Sequence, residues 1–188
     1  VRANEVLWIG DTWITIPGAQ HTRVRDRARI ANAIGPTEDY NIQAAPYATM
    51  AAITDQYNRQ AASATKPRVV IMDGGTFDTI TGNGSDASVA TAASGFRDFL
   101  AKVASDGFVG HVIYFLCPEV PGIYGVAALR PLVQQACAES AVPCHFLDLQ
   151  PLWDGHPEYS SSIQASEAGA LVIGEAIWKI MQDNCIAQ

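Results

Sequence analysis

Charged side chains are scarce in this 188-residue chain, at 16%, and basic ones are the scarcer kind: 12 Lys and Arg against 19 Asp and Glu, a net charge of −7. Without a Lys/Arg cluster there is no electrostatic footprint for nucleic acid or an anionic membrane, which excludes both as main partners. The one basic run, Arg23 to Arg29, alternates with Asp26 and apolar positions and reads as the solvated face of a helix. No apolar stretch approaches the ~20 residues that a membrane span requires. No charged leader with an apolar core is present, so any signal peptide is expected to have been removed. Repeats, linkers and low-complexity segments are missing too.

What remains is 48% hydrophobic, enough to bury one sizeable core, and a single domain over residues 1–188 is expected. Short apolar runs alternate with longer amphipathic stretches, the pattern of a parallel sheet covered by helices. The predicted strands are Glu5 to Ile9, an extended Tyr40 to Ala45, Arg68 to Met72, His111 to Leu116 and His145 to Leu149. The predicted helices are Thr22 to Ala33, Thr49 to Ala62, Ala90 to Ser105, Arg130 to Glu139 with Pro131 in its first turn, and Glu167 to Gln182. Thr79 to Ser88, with two glycines, reads as a loop.

Cys137 and Cys144 stand at either end of a helix-to-strand corner, and a disulfide is expected between them. That pairing points to an oxidising compartment, hence a secreted or periplasmic protein. The states of Cys117 and Cys185 stay open.

Four separated segments then stand out. Leu7-Trp8-Ile9-Gly10-Asp11-Thr12-Trp13 is similar to a strand and turn reading G-D-S-W, and Pro46-Tyr47-Ala48-Thr49-Met50 to S-G-A-T-M. Val69 to Asp78 resembles a strand ending in G-x-N-D, and Ser161-Ser162-Ile163-Gln164-Ala165-Ser166-Glu167-Ala168-Gly169 resembles D-G-I-H-P-S-x-x-G. In order and spacing these resemble the four signature blocks of the SGNH (GDSL) hydrolase superfamily, and the tail Gly169 to Trp178 is similar to the helix that follows its catalytic histidine. The resemblance implies a three-layer α/β/α sandwich around a parallel sheet of about five strands, flavodoxin-like in layout. It also implies that Thr12, Tyr47, Phe77 and Gln164 converge at one rim, beyond the carboxyl ends of the strands.

Each block, however, carries a different residue where the family keeps its chemistry: Thr12 for the nucleophilic serine, Tyr47 for a glycine donating to the oxyanion, Phe77 for the asparagine, Ser161 for the aspartate and Gln164 for the histidine. Thr12 keeps a hydroxyl, but its methyl restricts side-chain rotation and crowds an attack trajectory. Gln164 can hydrogen-bond that hydroxyl but cannot take its proton. Phe77 removes a side-chain donor whose counterpart in another hydrolase contributes roughly 3–4 kcal/mol. Asp11 and Asp78 survive, where the family uses them to brace loops.

The leading expectation is therefore a pseudoenzyme whose former cleft binds a small molecule, a glycan or a protein partner. Its pocket would comprise Asp11, Thr12, Trp13, Tyr47, Phe77, Asp78, Ser161 and Gln164, with Trp153 adding a further ring. The runner-up is an ester hydrolase or acyl transferase, acting on an acyl ester or O-acetylated glycan, in which Thr12 works with His156 of the Gly155-His156-Pro157-Glu158-Tyr159 stretch. A third class is elimination by a tyrosine or carboxylate base that reuses the same pocket without a nucleophile. His21 follows the first block and is a candidate to face the pocket, whereas His111 and His145 begin strands and read as structural. Asp11, Asp78, His21 and His156 lack a recognisable ligand spacing, so no metal and no cofactor are expected.

Overall fold

The computed structural model describes residues 1–186. Three strands, β1 (Val6–Ile9), β3 (Val69–Met72) and β4 (His111–Leu116), are continuous apolar runs buried along nearly their whole length, as parallel strands covered on both faces must be. With β2 (Asn41–Ile42) and β5 (Cys144–Asp148) they form one parallel sheet in the order β2-β1-β3-β4-β5. Val6 lies opposite Val69, and Met72 is flanked by Ile9 and Tyr114, so β1 and β3 end level while β4 runs on to Leu116 beside Asp148 of β5.

Two helical layers enclose the sheet. In one, α2 (Ala19–Ile30) packs along α8 (Glu167–Asp183); in the other, α5 (Asp86–Ser105) lies between α3 (Met50–Ala61) and α6 (Val126–Ala138). The α2–α8 approach depends on Gly174, where a Cβ would come within 2.8 Å of the Gln20 carbonyl and closer still to the Arg23 side chain. Beside it Glu175 accepts hydrogen bonds from Arg23 and Arg27. Thr49, Ser85 and Ser166 cap α3, α5 and α8 by accepting the N–H groups of Ala52, Ser88 and Gly169. Short helices α1 (Thr12–Thr15), α4 (Thr76–Thr81) and α7 (Gln150–Trp153), and a hairpin of β6 (Ser160–Ser161) and β7 (Gln164–Ala165), sit at the strand ends.

The three-layer architecture and the disulfide agree with expectation; Cys137 and Cys144 are bonded with Cα atoms 5.2 Å apart. Several boundaries differ. Thr79 to Ser88 is not all loop: α4 runs through Thr81, and α5 begins at Asp86, one turn earlier than predicted, because Ser85 caps it ahead of a polar first turn. Helix α6 likewise starts at Val126, following Gly125 at φ +82°, which places Pro131 in the helix interior. There its missing N–H forgoes the bond to the Ala127 carbonyl, and burial of Leu129, Val133 and Ala136 holds the helix regardless. Helix α2 is shifted towards the N-terminus, the extended Tyr40 to Ala45 shrinks to two paired residues, and Glu5 lies in a 3-10 turn rather than in β1. The final predicted strand begins and ends one residue earlier, at Cys144 and Asp148.

Candidate functional site

Strand β1 hands over to α1 through a turn at Gly10 and Asp11, and three separate elements hold that turn. Buried Gln56 of α3 accepts the Gly10 N–H at 2.7 Å and donates to the Gly10 carbonyl at 3.0 Å. Asp73, at the end of β3, accepts the N–H groups of Asp11 and, at 3.2 Å, Trp13. Gly10 has φ +141°, and a Cβ there would fall 1.9 Å from Asp73 Oδ1, so the carboxylate occupies the space that a side chain would need.

Above this turn the polar groups satisfy one another. The Thr12 hydroxyl donates to Asp11 Oδ1 at 2.8 Å, and the same oxygen accepts the Ala48 N–H at 3.1 Å. The Tyr47 N–H donates to Thr12 Oγ1 at 3.2 Å. Tyr47 adopts φ +62°, a left-handed conformation that glycine takes without cost and tyrosine takes with strain. The residue is 59% exposed, and its ring packs against Phe77 with centroids 5.7 Å apart. Thr12 itself is only 6% exposed. Asp78 accepts the Met50 N–H at 3.0 Å and so braces the start of α3.

Thr12, Tyr47 and Phe77 thus come together, and the hairpin bearing Gln164 packs against α1, with Ser161 paired opposite Gln164. Among the described residues, neither Gln164 nor any histidine hydrogen-bonds the Thr12 hydroxyl. Trp13 and Trp153 are not surface walls: they are 1% and 7% exposed and meet edge to face at 5.8 Å. The ring series continues outward from Trp153 to Tyr159 at 5.5 Å and from Tyr159 to a stacked His156 at 4.5 Å.

Trp153 Nε1 donates to Ser160 Oγ at 2.8 Å, and His156 Nδ1 lies 2.9 Å from Glu158 Oε1. Here the surface opens into a cleft of about 670 Å³, lined by Glu119, Gln150, Trp153, His156, Ser160 and Ser162. It lies beyond the carboxyl ends of β4 and β5, where open α/β sheets bind ligands.

His21 does not face this region; it sits on α2 with its ring edge-on to Trp8 at 6.0 Å. His111 Nδ1 and His145 Nε2 are 3.0 Å apart, joining β4 to β5. Among the described residues no group of three or more His, Cys, Asp or Glu could hold a metal ion.

Burial, and then the charge of Asp11, push the Asp73 carboxyl well above the usual carboxylate range. Asp11 is also raised by burial, against the opposing bonds from Thr12 and Ala48. Burial raises Asp78 as well, and it pushes the Cys117 thiol up to about 12, which leaves that sulfur unreactive. An acid whose folded-state pKa is raised binds its proton more tightly when folded. Stability from Asp73 is therefore greatest below the unfolded value near 4 and is lost as pH rises towards the folded value, by up to about 1.4 kcal/mol per pH unit. Melting temperatures from pH 4 to 8 should fall more steeply in the wild type than in Asp73→Asn; parallel profiles would refute this.

Sequence reasoning missed Asp73, Gln56 and Glu119. The signal for Asp73 was available: a lone carboxylate directly after Val-Val-Ile-Met and before two glycines. Gln56 looks like any polar residue on a helix, and Glu119 becomes relevant only once the loop after β4 is placed.

No protein-family model matches the sequence, and no curated protein matches it. Solved structures do. An acetyl xylan esterase superposes with a TM-score of 0.72 at 10% identity, covering 96% of this chain and 99% of its own. A GDSL-like lipase from Parabacteroides merdae gives 0.70 at 14% identity, covering 96% and 95%. A family two carbohydrate esterase from Clostridium thermocellum, solved in complex with cellohexaose, gives 0.68 at 17% identity, covering 97% of this chain and 65% of its own. Likeness at such low identity establishes architecture alone. With five parallel strands between two helical layers, and with these structural neighbours, the chain has the SGNH hydrolase fold.

Proposed function

We propose that this chain is a binding protein on a hydrolase scaffold, one that does not hydrolyse esters. The observation that carries the reading is the closed set of bonds at Thr12: a buried hydroxyl donating to Asp11 and accepting the Tyr47 N–H. A serine-type mechanism needs a base on that hydroxyl and free N–H donors for the oxyanion. Here the partner is an acidic side chain that holds Ala48 as well, and the Tyr47 donor is spent on the hydroxyl.

The ligand in this reading occupies the cleft beside the old centre, where His156 offers ring surface, Ser160 and Ser162 offer hydroxyl partners, and the buried Trp153 forms the floor. A small hydroxyl-rich molecule such as an oligosaccharide suits that lining, and one structural neighbour was solved with cellohexaose. The Cys137–Cys144 disulfide supports a location outside reducing compartments.

One observation favours the ester-hydrolase alternative: a histidine held by a carboxylate, His156 on Glu158, is how a general base is oriented. Titration with O-acetylated and plain xylo-oligosaccharides, followed by tryptophan fluorescence and by released acetate, separates the two. The binding reading expects saturation weakened at least about tenfold in His156→Ala, with no acetate released. Acetate release that collapses in Thr12→Ala or His156→Ala would replace it with the alternative.

A further inference from the structure

The chain contains one Asn-x-Ser/Thr triplet, Asn83-Gly84-Ser85, in the turn that joins α4 to α5. Asn83 is exposed, at φ +51°, with its backbone N–H bonded to the Ile80 carbonyl at 3.0 Å. Among the described residues its side-chain amide has no partner. The inner side of the turn is anchored instead: the Gly84 N–H donates to the Thr79 carbonyl at 2.8 Å, and a Cβ on Gly84 would lie 2.8 Å from both the Gly125 nitrogen and Tyr124 Cβ. The acceptor amide is thus left in solvent on a turn that the fold holds in place, and a large substituent there displaces no packed side chain.

We infer that Asn83 is an acceptor site for N-linked glycosylation, in a chain that matures in an oxidising secretory compartment. This rests on the location proposed above, for which the Cys137–Cys144 disulfide is the independent support. The co-reactant is an oligosaccharide joined through its anomeric carbon to a polyisoprenyl diphosphate. Asn83 Nδ2 forms the bond to that carbon, the carbon–oxygen bond to the diphosphate breaks, the diphosphate leaves with the electron pair, and the amide gives up one proton.

In the fold the exposed Ser85 Oγ accepts the Ser88 N–H as the cap of α5, which leaves its own O–H to donate, so the sequon hydroxyl stays accessible beside Asn83. The sugar then stands next to Tyr124, an exposed ring on the loop that follows β4, and shields it.

The test is secretion from a eukaryotic host and intact-mass analysis before and after treatment with a peptide N-glycosidase. The wild type should lose one glycan and retain aspartate at position 83. Asn83→Gln should emerge folded and unmodified, with a slightly lowered melting temperature because glutamine tolerates φ +51° less well than asparagine, and Ser85→Thr, which preserves both sequon and cap, should stay glycosylated. Secreted protein with the disulfide formed but Asn83 bare would overturn the inference and leave the binding reading standing. A glycosidase-sensitive mass that persists in Asn83→Gln would overturn it as well.

Discussion

Thr12→Ser alone should leave the protein as inert towards p-nitrophenyl acetate as the wild type, because a better nucleophile is of no use without a base. The serine hydroxyl would inherit the same partners, Asp11 and the Tyr47 N–H. Restoring Thr12→Ser, Phe77→Asn, Ser161→Asp and Gln164→His together supplies the acid, the base and one oxyanion donor, and a trace of turnover is expected. The Tyr47 N–H would still point at the nucleophile. Adding Tyr47→Gly removes the strained side chain and gives the backbone the freedom to turn that N–H towards the oxyanion, and should raise the rate a further 100-fold or so, the worth of one oxyanion donor. Ester turnover by the unmodified protein, lost in Thr12→Ala, would sink this account.

Gly10→Ala should be among the most damaging single substitutions in the chain. The new methyl would meet Asp73 Oδ1 at 1.9 Å and Ile14 Cδ1 at 2.9 Å, from a backbone at φ +141°. Asp73 cannot yield without abandoning the Asp11 and Trp13 N–H groups inside the protein. Strain and unpaired buried donors together put the loss on the order of 3–5 kcal/mol. Gly107→Ala is the matched control, since it too has positive φ but nothing within 4 Å of its Cβ. Equal urea midpoints for the two variants would contradict the role given to Asp73.

The sheet was legible because its central strands are buried on both faces: Val69 to Met72 and His111 to Leu116 admit little other reading. Helix starts were less so. Asp86 to Ser88 is polar enough to pass for loop, and Pro131 suggested a helix start that Gly125 actually provides five residues earlier. The hairpin of Ser160 to Ala165 has two residues per strand, too few for any alternation to show. At the site, the meeting of Thr12, Tyr47 and Phe77 followed from block order. The burial of Trp13 did not, because an aromatic residue after a turn reads alike whether it points out or in. Nor could block order reveal that the Tyr47 donor would be consumed by Thr12, since that depends on a backbone angle.

The margins of the sheet carry a consequence for how copies of this chain meet. Strand β2 contributes only Asn41 and Ile42, so that border offers another chain little exposed backbone to template against. At the opposite border, β5 opens with Cys144, covalently tied to α6 through Cys137. Strand-to-strand growth, the route by which sheet proteins run into fibres, has a short landing strip on one side and a tethered one on the other.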